Sequence, residues 1–218
     1  MISLPKSPTQ AHTLPKSLIL EAAQDAKIIA LDGAYDKLLN LNIQPHIVLG
    51  DFDSLKNPLS IQPPCELISA PDQNKTDLDK AVTYSLNHNA SSIHITSAIG
   101  GRLDHTQATL YLLQNAYTPH CRIYLHTEYH SAWIACNEEI IIRGKINDYC
   151  GFFGAPLATM SVKNAGLAYG GPEPFTLSSE QYSTSNHLIL EEAIIEIQGK
   201  ALIVHPPMLE SQRIFSAK

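Results

Sequence analysis

Two aspartates, Asp51 and Asp53, stand two positions apart directly after an apolar run at residues 47–49. Such a run, preceded by Pro45, is typical of a short buried strand that ends where the acids begin. In an extended segment the two carboxylates would project to the same side and repel each other. A cation relieves this repulsion, and hard oxygen ligands suit magnesium carried by a nucleotide phosphate. A solvated acidic turn is the alternative, and an isolated pair of aspartates would favour it.

Three further acids, Asp32, Asp77 and Asp104, follow strand ends or begin helices in the first half of the chain. Parallel strands bring their carboxyl ends to one edge of a sheet, so we expect all five acids along one rim. Five acids with few basic residues near them indicate a metal and phosphate site. Asp79 is explained by helix capping alone, because Thr76 is a suitable N-cap and acids in the first turn complement the helix dipole.

Glycines and cations close to these acids are candidate phosphate contacts. Gly100 and Gly101 lie between a strand and a helix, where backbone amides can approach a phosphate. Arg102 offers a planar fork to phosphate oxygens, and Lys75 is the second candidate cation. Either could equally be a surface charge. His105 is interpreted as a helix-entry histidine bonded to the backbone.

The elements that must position these residues alternate between strands and helices. Strands are predicted at residues 27–31, 47–49, 66–69, 92–98 and 121–126. Helices are predicted at residues 18–26, 34–41, 81–87 and 106–115. This alternation of strands and helices predicts a parallel α/β sheet, in which ligands bind at the carboxyl ends of the strands.

The pattern changes beyond about residue 126, where we place a domain boundary. Strands are predicted at residues 140–143, 158–162, 187–190, 193–197 and 201–204, separated by Gly, Pro and Asn turns. Gln198-Gly199-Lys200 is expected to be a tight hairpin connection. Successive short strands with few helices predict an antiparallel sandwich or barrel.

Composition excludes several classes of protein. With 15 Lys and Arg against 21 Asp and Glu the formal net charge is −6, and the basic residues are scattered, so we expect no nucleic-acid partner. No window resembles a membrane span or a signal peptide, and the four cysteines are far apart, as in a reduced cytoplasmic protein. No P-loop, G-x-S-x-G or H-E-x-x-H motif occurs.

The ordered motifs resemble those of the thiamin pyrophosphokinase family. Four acidic motifs stand in the family's order: A-L-D-G at residues 30–33, P-H-I-V-L-G-D-F-D-S at 45–54, D-Q-N-K-T-D at 72–77 and G-G-R-L-D-H at 100–105. The later S-T-S-N at residues 183–186, after G-L-A-Y at 166–169, is similar to the family's thiamin-domain signature. Singly these motifs are weak, but together and in this order they are specific.

The resemblance implies an enzyme that passes a pyrophosphoryl group from ATP to the hydroxyl of thiamin, giving thiamin diphosphate and AMP. It implies a Rossmann-like parallel α/β catalytic domain at residues 1–126, followed by an antiparallel β-sandwich thiamin-binding domain at residues 127–218. It also implies a homodimer with active sites between subunits.

The resemblance implies roles for the residues of this chain that match the family's motifs. Asp51, Asp53 and Asp77 would be catalytic and hold Mg²⁺ with the triphosphate of ATP. The remaining nucleotide-binding residues would be Asp32, Gln73, Lys75, Gly100, Gly101, Arg102 and Asp104. Thiamin would be contacted by Tyr169, Ser185 and Asn186. Without the resemblance, Ser185 and Asn186 would be interpreted as an ordinary β-turn.

Two other functions are compatible with the same residues. One is a related diphosphokinase or nucleotide hydrolase acting on another small molecule. The other is a thiamin- or nucleotide-binding protein without catalysis. The intact set of acids argues against this second function, because a protein that only binds does not need so many carboxylates.

Overall fold

The computed structural model describes residues 26–53, 61 and 63–207. The helix predicted at residues 18–26 lies outside this part of the chain except for its last residue, and so does Ser54 of the second acidic motif. The chain divides into two compact units, with the break after Glu128.

The first unit alternates strands and helices. Strands β1 (Ile29–Leu31), β2 (Ile47–Gly50) and β3 (Glu66–Ser69) form a three-stranded parallel sheet in that order. Strands β4 (Ser92–Thr96) and β5 (Arg122–His126) form a second parallel pair. The helices are α1 (Ala34–Asn40), α2 (Asp77–Asn87) and α3 (Leu103–Asn115). The parallel pairing predicted from the alternation is confirmed.

Burial explains why β1 and β2 carry no polar side chains. Every residue of β1 and β2 is buried, as expected for parallel strands covered on both faces. Helix α1 places Leu38, which is 0% exposed, in the same apolar cluster as Ala30 and Val48. Among the described residues, no helix combines the length and apolar character needed to cross a bilayer.

The described part of the second unit contains strands and no helix. Its strands are β6 (Ser131–Arg143), β7 (Tyr149–Val162), β8 (Phe175–Leu177), β9 (Ser183–His187) and β10 (Glu192–His205). All the pairings among them are antiparallel: β10 lies between β6 and β7, and β7 also pairs with β8 and β9. The chain is therefore a mixed α/β protein whose second half is antiparallel.

The expected hairpin at Gln198-Gly199-Lys200 is wrong. These residues lie inside β10, which continues through them with a bulge in its pairing to both neighbours. Gly199 adopts φ +84°, and its N–H donates to Asn137 Oδ1 at 2.8 Å. The turn-like composition of this stretch thus encodes a bulge in a central strand, where two flanking strands leave no room for a reversal.

Candidate active site

Asp32 and Asp51 follow two neighbouring parallel strands and are brought together at their carboxyl ends. Leu31 of β1 pairs with Leu49 of β2, and the Asp32 N–H donates to Leu49 O at 3.1 Å. Asp32 is 1% exposed and adopts φ +37°. The register of the sheet thus places a buried carboxylate beside the residue that leaves β2.

Asp53 joins these two acids through a turn. The residue between Asp51 and Asp53, Phe52, has φ +68°, so the segment is a left-handed bend instead of the extended stretch that the spacing predicted. The Asp53 N–H donates to Asp51 Oδ1 at 3.3 Å across this bend. Left-handed backbone in a residue with a side chain costs about 1 kcal/mol, and the packing of Phe52 against the core of the first unit offsets part of that cost.

Two further residues shape the position of the acids. A Cβ at position 50 would lie 3.1 Å from Asp32 Cβ. Glycine at this position therefore permits the close approach of the two strand ends. Gln73 donates from Nε2 to Asp51 Oδ2 at 3.1 Å and to Pro71 O at 3.3 Å. Gln73 therefore orients the Asp51 carboxylate from the loop before α2.

The result is a group of three carboxylates. Asp32, Asp51 and Asp53 each offer an oxygen, and these oxygens lie within 4.8 Å of one another. Asp32 is buried, Asp51 half-buried and Asp53 exposed, so the group opens toward solvent. Three negative charges at this spacing repel one another unless a cation lies among them, and carboxylate oxygens are the ligands that Mg²⁺ prefers. The donor set therefore fits a magnesium ion.

Asp77 is outside this three-carboxylate group. It is the first residue of α2, and its Oδ1 accepts from Lys80 Nζ at 3.1 Å. The Lys80 side chain is 8% exposed and that of Asp77 is 21% exposed, so this ion pair is largely shielded from water. Lys80 was not singled out from the sequence, although its spacing of three from Asp77 within a helix was the available signal.

The start of α2 confirms the capping prediction. Thr76 Oγ1 accepts from the Asp79 N–H at 3.1 Å, and Asp79 Oδ2 accepts from the Thr76 N–H at 3.1 Å. This reciprocal pair is a capping box, so Asp79 has a structural function. Lys75, one residue earlier, is exposed.

The loop before α3 carries the glycines and the arginine expected to contact phosphate. Gly100 and Gly101 adopt φ +108° and +83°, a conformation that favours glycine. Arg102 donates from Nε to Asp104 Oδ1 at 3.0 Å and from Nη2 to Asp104 Oδ2. These hydrogen bonds lower the pKa of Asp104 to about 2. The arginine fork thus engages a carboxylate of its own loop, and both side chains are well exposed.

Two hydroxyl groups at the end of β4 were missed in the sequence. Thr96 and Ser97 are 4% and 5% exposed, and their side-chain oxygens have no hydrogen-bond partner within the described part of the chain. Ser97 also adopts φ +56°. Buried hydroxyls normally find a partner, so this pair is an exception within the described part of the chain. A hydroxyl in a strand-end position gives no distinctive sequence signal.

The residues expected to contact thiamin lie on β9 and the segment before β8. Tyr169 is 65% exposed, and its ring meets the His187 ring edge-on at 6.1 Å between centroids. Ser185 is exposed with φ +53°. Asn186 is 0% exposed, and the Tyr149 ring also meets the His187 ring edge-on, at 6.2 Å between centroids. The β-turn interpretation of Ser185 and Asn186 is wrong, because both lie in a strand paired with β7.

Comparison with known proteins relates the sequence to one family. Residues 20–125 match the family model described as "Thiamin pyrophosphokinase, catalytic domain". The chain is 33% identical over 91 residues to thiamin pyrophosphokinase 1 of Caenorhabditis elegans. That match covers 38% of this chain and 37% of the length of the worm protein.

Solved structures share the fold over nearly the whole chain. Thiamine pyrophosphokinase from Bacillus subtilis superposes with a TM-score of 0.79 at 22% identity, covering 95% of this chain and 98% of that one. Thiamin pyrophosphokinase from Geobacillus thermodenitrificans gives a TM-score of 0.75 at 20% identity, covering 95% and 96%. The fold of the chain is therefore the one that these solved proteins have.

Proposed function

We propose that this protein transfers a pyrophosphoryl group from ATP to thiamin, because residues 20–125 match the family model of the thiamin pyrophosphokinase catalytic domain. The products are thiamin diphosphate and AMP. The proposal includes the finer architecture expected from the sequence, a Rossmann-like nucleotide-binding first domain and a β-sandwich second domain that takes thiamin. It also includes a cytoplasmic homodimer whose active sites lie between subunits.

The group of three carboxylates carries the proposal. Pyrophosphoryl transfer needs positioning and charge neutralisation more than covalent chemistry. Asp51 and Asp53 would hold Mg²⁺ together with Asp32, and Asp77 would contribute from the start of α2. When bound, the metal neutralises charge on the phosphate oxygens of ATP. The buried Asp32 and the Gln73 hydrogen bond to Asp51 support this role, because they fix two of the oxygens in advance.

The loop at Gly100–Asp104 is proposed to receive the nucleotide. Gly100 and Gly101 leave their amides accessible, and nothing would lie within 4 Å of a Cβ at either position, so this part of the loop is open. Arg102 would exchange Asp104 for phosphate oxygens as ATP binds, with Lys75 as a second cation.

Thiamin is proposed to bind at the exposed face of Tyr169. Its thiazolium ring is cationic, and a cation is attracted to an aromatic face. Ser185, exposed on β9, would provide a hydroxyl contact. Asn186, which is 0% exposed, bonds the Tyr169 backbone.

The transfer conserves atoms in a single displacement. The hydroxyl oxygen of thiamin attacks the β-phosphorus of ATP, and the bond from that phosphorus to the oxygen bridging the α-phosphate breaks. AMP leaves with that oxygen, and the hydroxyl proton passes to a carboxylate. Asp53 and Asp77 are the candidates to accept it; we favour Asp77, since Asp53 is better placed as a ligand within the three-carboxylate group.

An assay of AMP formation from ATP and Mg²⁺, with and without thiamin, tests the function. We expect AMP to form only with thiamin and in equal amount to thiamin diphosphate. AMP release at the same rate with and without thiamin would instead establish a nucleotide hydrolase. Calorimetry with thiamin, Mg²⁺ and a non-hydrolysable ATP analogue provides the binding counterpart, and folded protein that binds no thiamin would overturn the substrate assignment.

A further inference from the structure

The side chain of Asn186 uses its full hydrogen-bonding capacity inside the second unit. Its Nδ2 donates to Tyr169 O at 2.7 Å and to Ser183 Oγ at 3.2 Å. Its Oδ1 accepts from the N–H groups of Tyr169 at 3.1 Å and His187 at 3.0 Å. A neutral amide has two N–H groups and two acceptor positions, so all four are occupied. Being 0% exposed as well, Asn186 has nothing left to offer a ligand.

Both backbone groups of Tyr169 are held by this one amide. Residues 166–168 already run alongside residues 187–189: Ile189 N–H donates to Gly166 O at 2.9 Å, and Ala168 N–H donates to His187 O at 3.0 Å. At Tyr169 the Asn186 side chain takes the place that a paired strand would occupy. It thus extends the backbone ladder by one residue, across 17 positions of sequence.

The chain is fixed on the other side of Tyr169 as well. Gly170 has φ +117°, and a Cβ there would lie 2.8 Å from Val162 Cγ2. The Val162 N–H donates to Gly171 O at 2.7 Å. Tyr169 therefore has a fixed backbone on both sides, while its ring remains 65% exposed.

We propose that Asn186 is a positioning residue that holds the Tyr169 backbone by a two-point amide clamp and so presents the Tyr169 ring to the substrate. This inference rests on the proposed function, because it takes thiamin to be what stacks on that ring. A ring carried on a backbone that is already held in place leaves less of the chain to be ordered when the substrate arrives, which strengthens binding without a direct contact. Asn186 thus differs from the substrate-contacting residue that the sequence motif implied.

Asn186→Asp is the sharpest variant. The carboxylate has the same shape and keeps both acceptor contacts, but it replaces a donor by an acceptor facing Tyr169 O at 2.7 Å. We expect the Kd for thiamin, measured by calorimetry with Mg²⁺ and an ATP analogue, to rise about tenfold. The Kd for the ATP analogue should stay within about twofold. The matched control is Thr184→Ala, a change at an exposed neighbour on the same strand, and it should leave both values unchanged.

A double-mutant cycle separates positioning from a direct contact. If Asn186 acts through the ring, Asn186→Asp should have little further effect once Tyr169→Ala has removed that ring. Fully additive effects, or an Asn186→Asp variant with the wild-type Kd for thiamin, would overturn the inference. Wild-type protein that binds no thiamin would overturn the proposed function instead. A Tyr169→Ala variant with undiminished affinity would overturn the assignment of the ring.

Hydrogen exchange of the wild-type protein tests the clamp even if the variant fails to fold. The Tyr169 amide should exchange at least about tenfold more slowly than the amides of exposed loop residues, because Asn186 Oδ1 accepts its hydrogen. Exchange as fast as that of an open loop would show that the clamp does not persist in solution and would overturn the proposal.

Discussion

The candidate active site is built from residues in backbone conformations that are unfavourable on their own. Asp32 and Phe52 both have positive φ, and each flanks a strand end at which carboxylates meet. Such strain persists only where the surrounding structure enforces it. Here the buried strands β1 and β2 supply that rigidity. They hold together three acids that would otherwise repel one another. The site is thus prepared for a cation at the expense of local stability.

Asp51→Asn should abolish turnover much more than it weakens thiamin binding. The amide retains the hydrogen-bonding shape but lacks the charge needed beside a metal, so we expect kcat to fall by at least ~100-fold. The Kd for thiamin should change less than about threefold. Steady-state kinetics and calorimetry give the two values, and Asp36→Asn on α1, outside the three-carboxylate group, is the control. An equal loss of turnover and thiamin binding would point to a role in holding the ligand.

At the scale of elements, the sequence predicted contacts between residues close together in the chain, but not contacts between residues far apart in it. The Thr76–Asp79 capping box was foreseeable because both partners lie within one helical turn. The bulge at Gly199 was not, because its turn-like residues take their conformation from Asn137, which is 62 positions away. The same applies to Asn186, whose motif indicated a ligand contact while its partner Tyr169 comes from another segment. The parallel pairing followed from the alternation, and so did the meeting of Asp32 and Asp51 at neighbouring strand ends. The expected rim of five acids is only partly correct, because Asp77 pairs with Lys80 and Asp104 with Arg102.

Thr76→Ala should destabilise the first unit by about 1 kcal/mol, the usual cost of losing an N-cap side chain. The lost bond is the one that Thr76 Oγ1 accepts from the Asp79 N–H. Urea unfolding monitored by circular dichroism measures the change. Thr83→Ala, at an exposed position within the same helix, is the control and should be neutral or slightly stabilising, since alanine favours helix. Equal effects of the two variants would contradict the capping role.

Gly199→Ala should destabilise the second unit by about 2 kcal/mol. The residue has φ +84°, and a Cβ there would lie 2.7 Å from Leu157 O, a backbone atom that cannot move aside easily. Gly171→Ala is the matched control, because nothing would lie within 4 Å of its Cβ. Denaturant unfolding of both variants distinguishes strain at the bulge from a general effect of replacing glycine. A Gly199→Ala variant as stable as the control would show that the bulge is easily remodelled.

At the scale of the whole molecule, each unit contains a histidine that resists protonation. Burial lowers the pKa of His94 on β4 and of His205 on β10 to about 4 each, from an ordinary value of 6.5. The unfolded chain therefore takes up protons at these sites before the folded chain does. The contribution of both histidines to the free energy of unfolding is therefore fully present above pH 6.5 and is lost as the pH falls toward 4.

The melting temperature should accordingly fall between pH 6.5 and 4 and recover on return to neutral pH. His205→Gln removes one titrating group, so the variant should lose less stability over that interval than the wild type does, whatever its stability at neutral pH. Thermal melts across the interval measure both slopes. An unchanged slope in the variant would show that His205 does not contribute to the acid sensitivity.

Ligands should protect separate parts of the molecule from hydrogen exchange. With Mg²⁺ and a non-hydrolysable ATP analogue, slower exchange is expected around Asp51–Asp53 and Gly100–Asp104; adding thiamin should slow exchange around Tyr169 and β9. Binding to the native state stabilises the segments that contact the ligand most directly. Removal of Mg²⁺ with EDTA should reverse the first effect. Protection by the nucleotide that persists without Mg²⁺ would contradict the proposed metal site.

The position of β10 has a consequence for synthesis on the ribosome. This strand lies between β6 and β7, yet it is the last of the three to be translated. Every element of the first unit precedes Glu128, so that unit can fold while translation continues. The second unit cannot close until residues 192–205 have emerged, and until then β6 and β7 present unpaired edges. The nascent chain is therefore most prone to misassociation in the interval between the translation of β7 and that of β10.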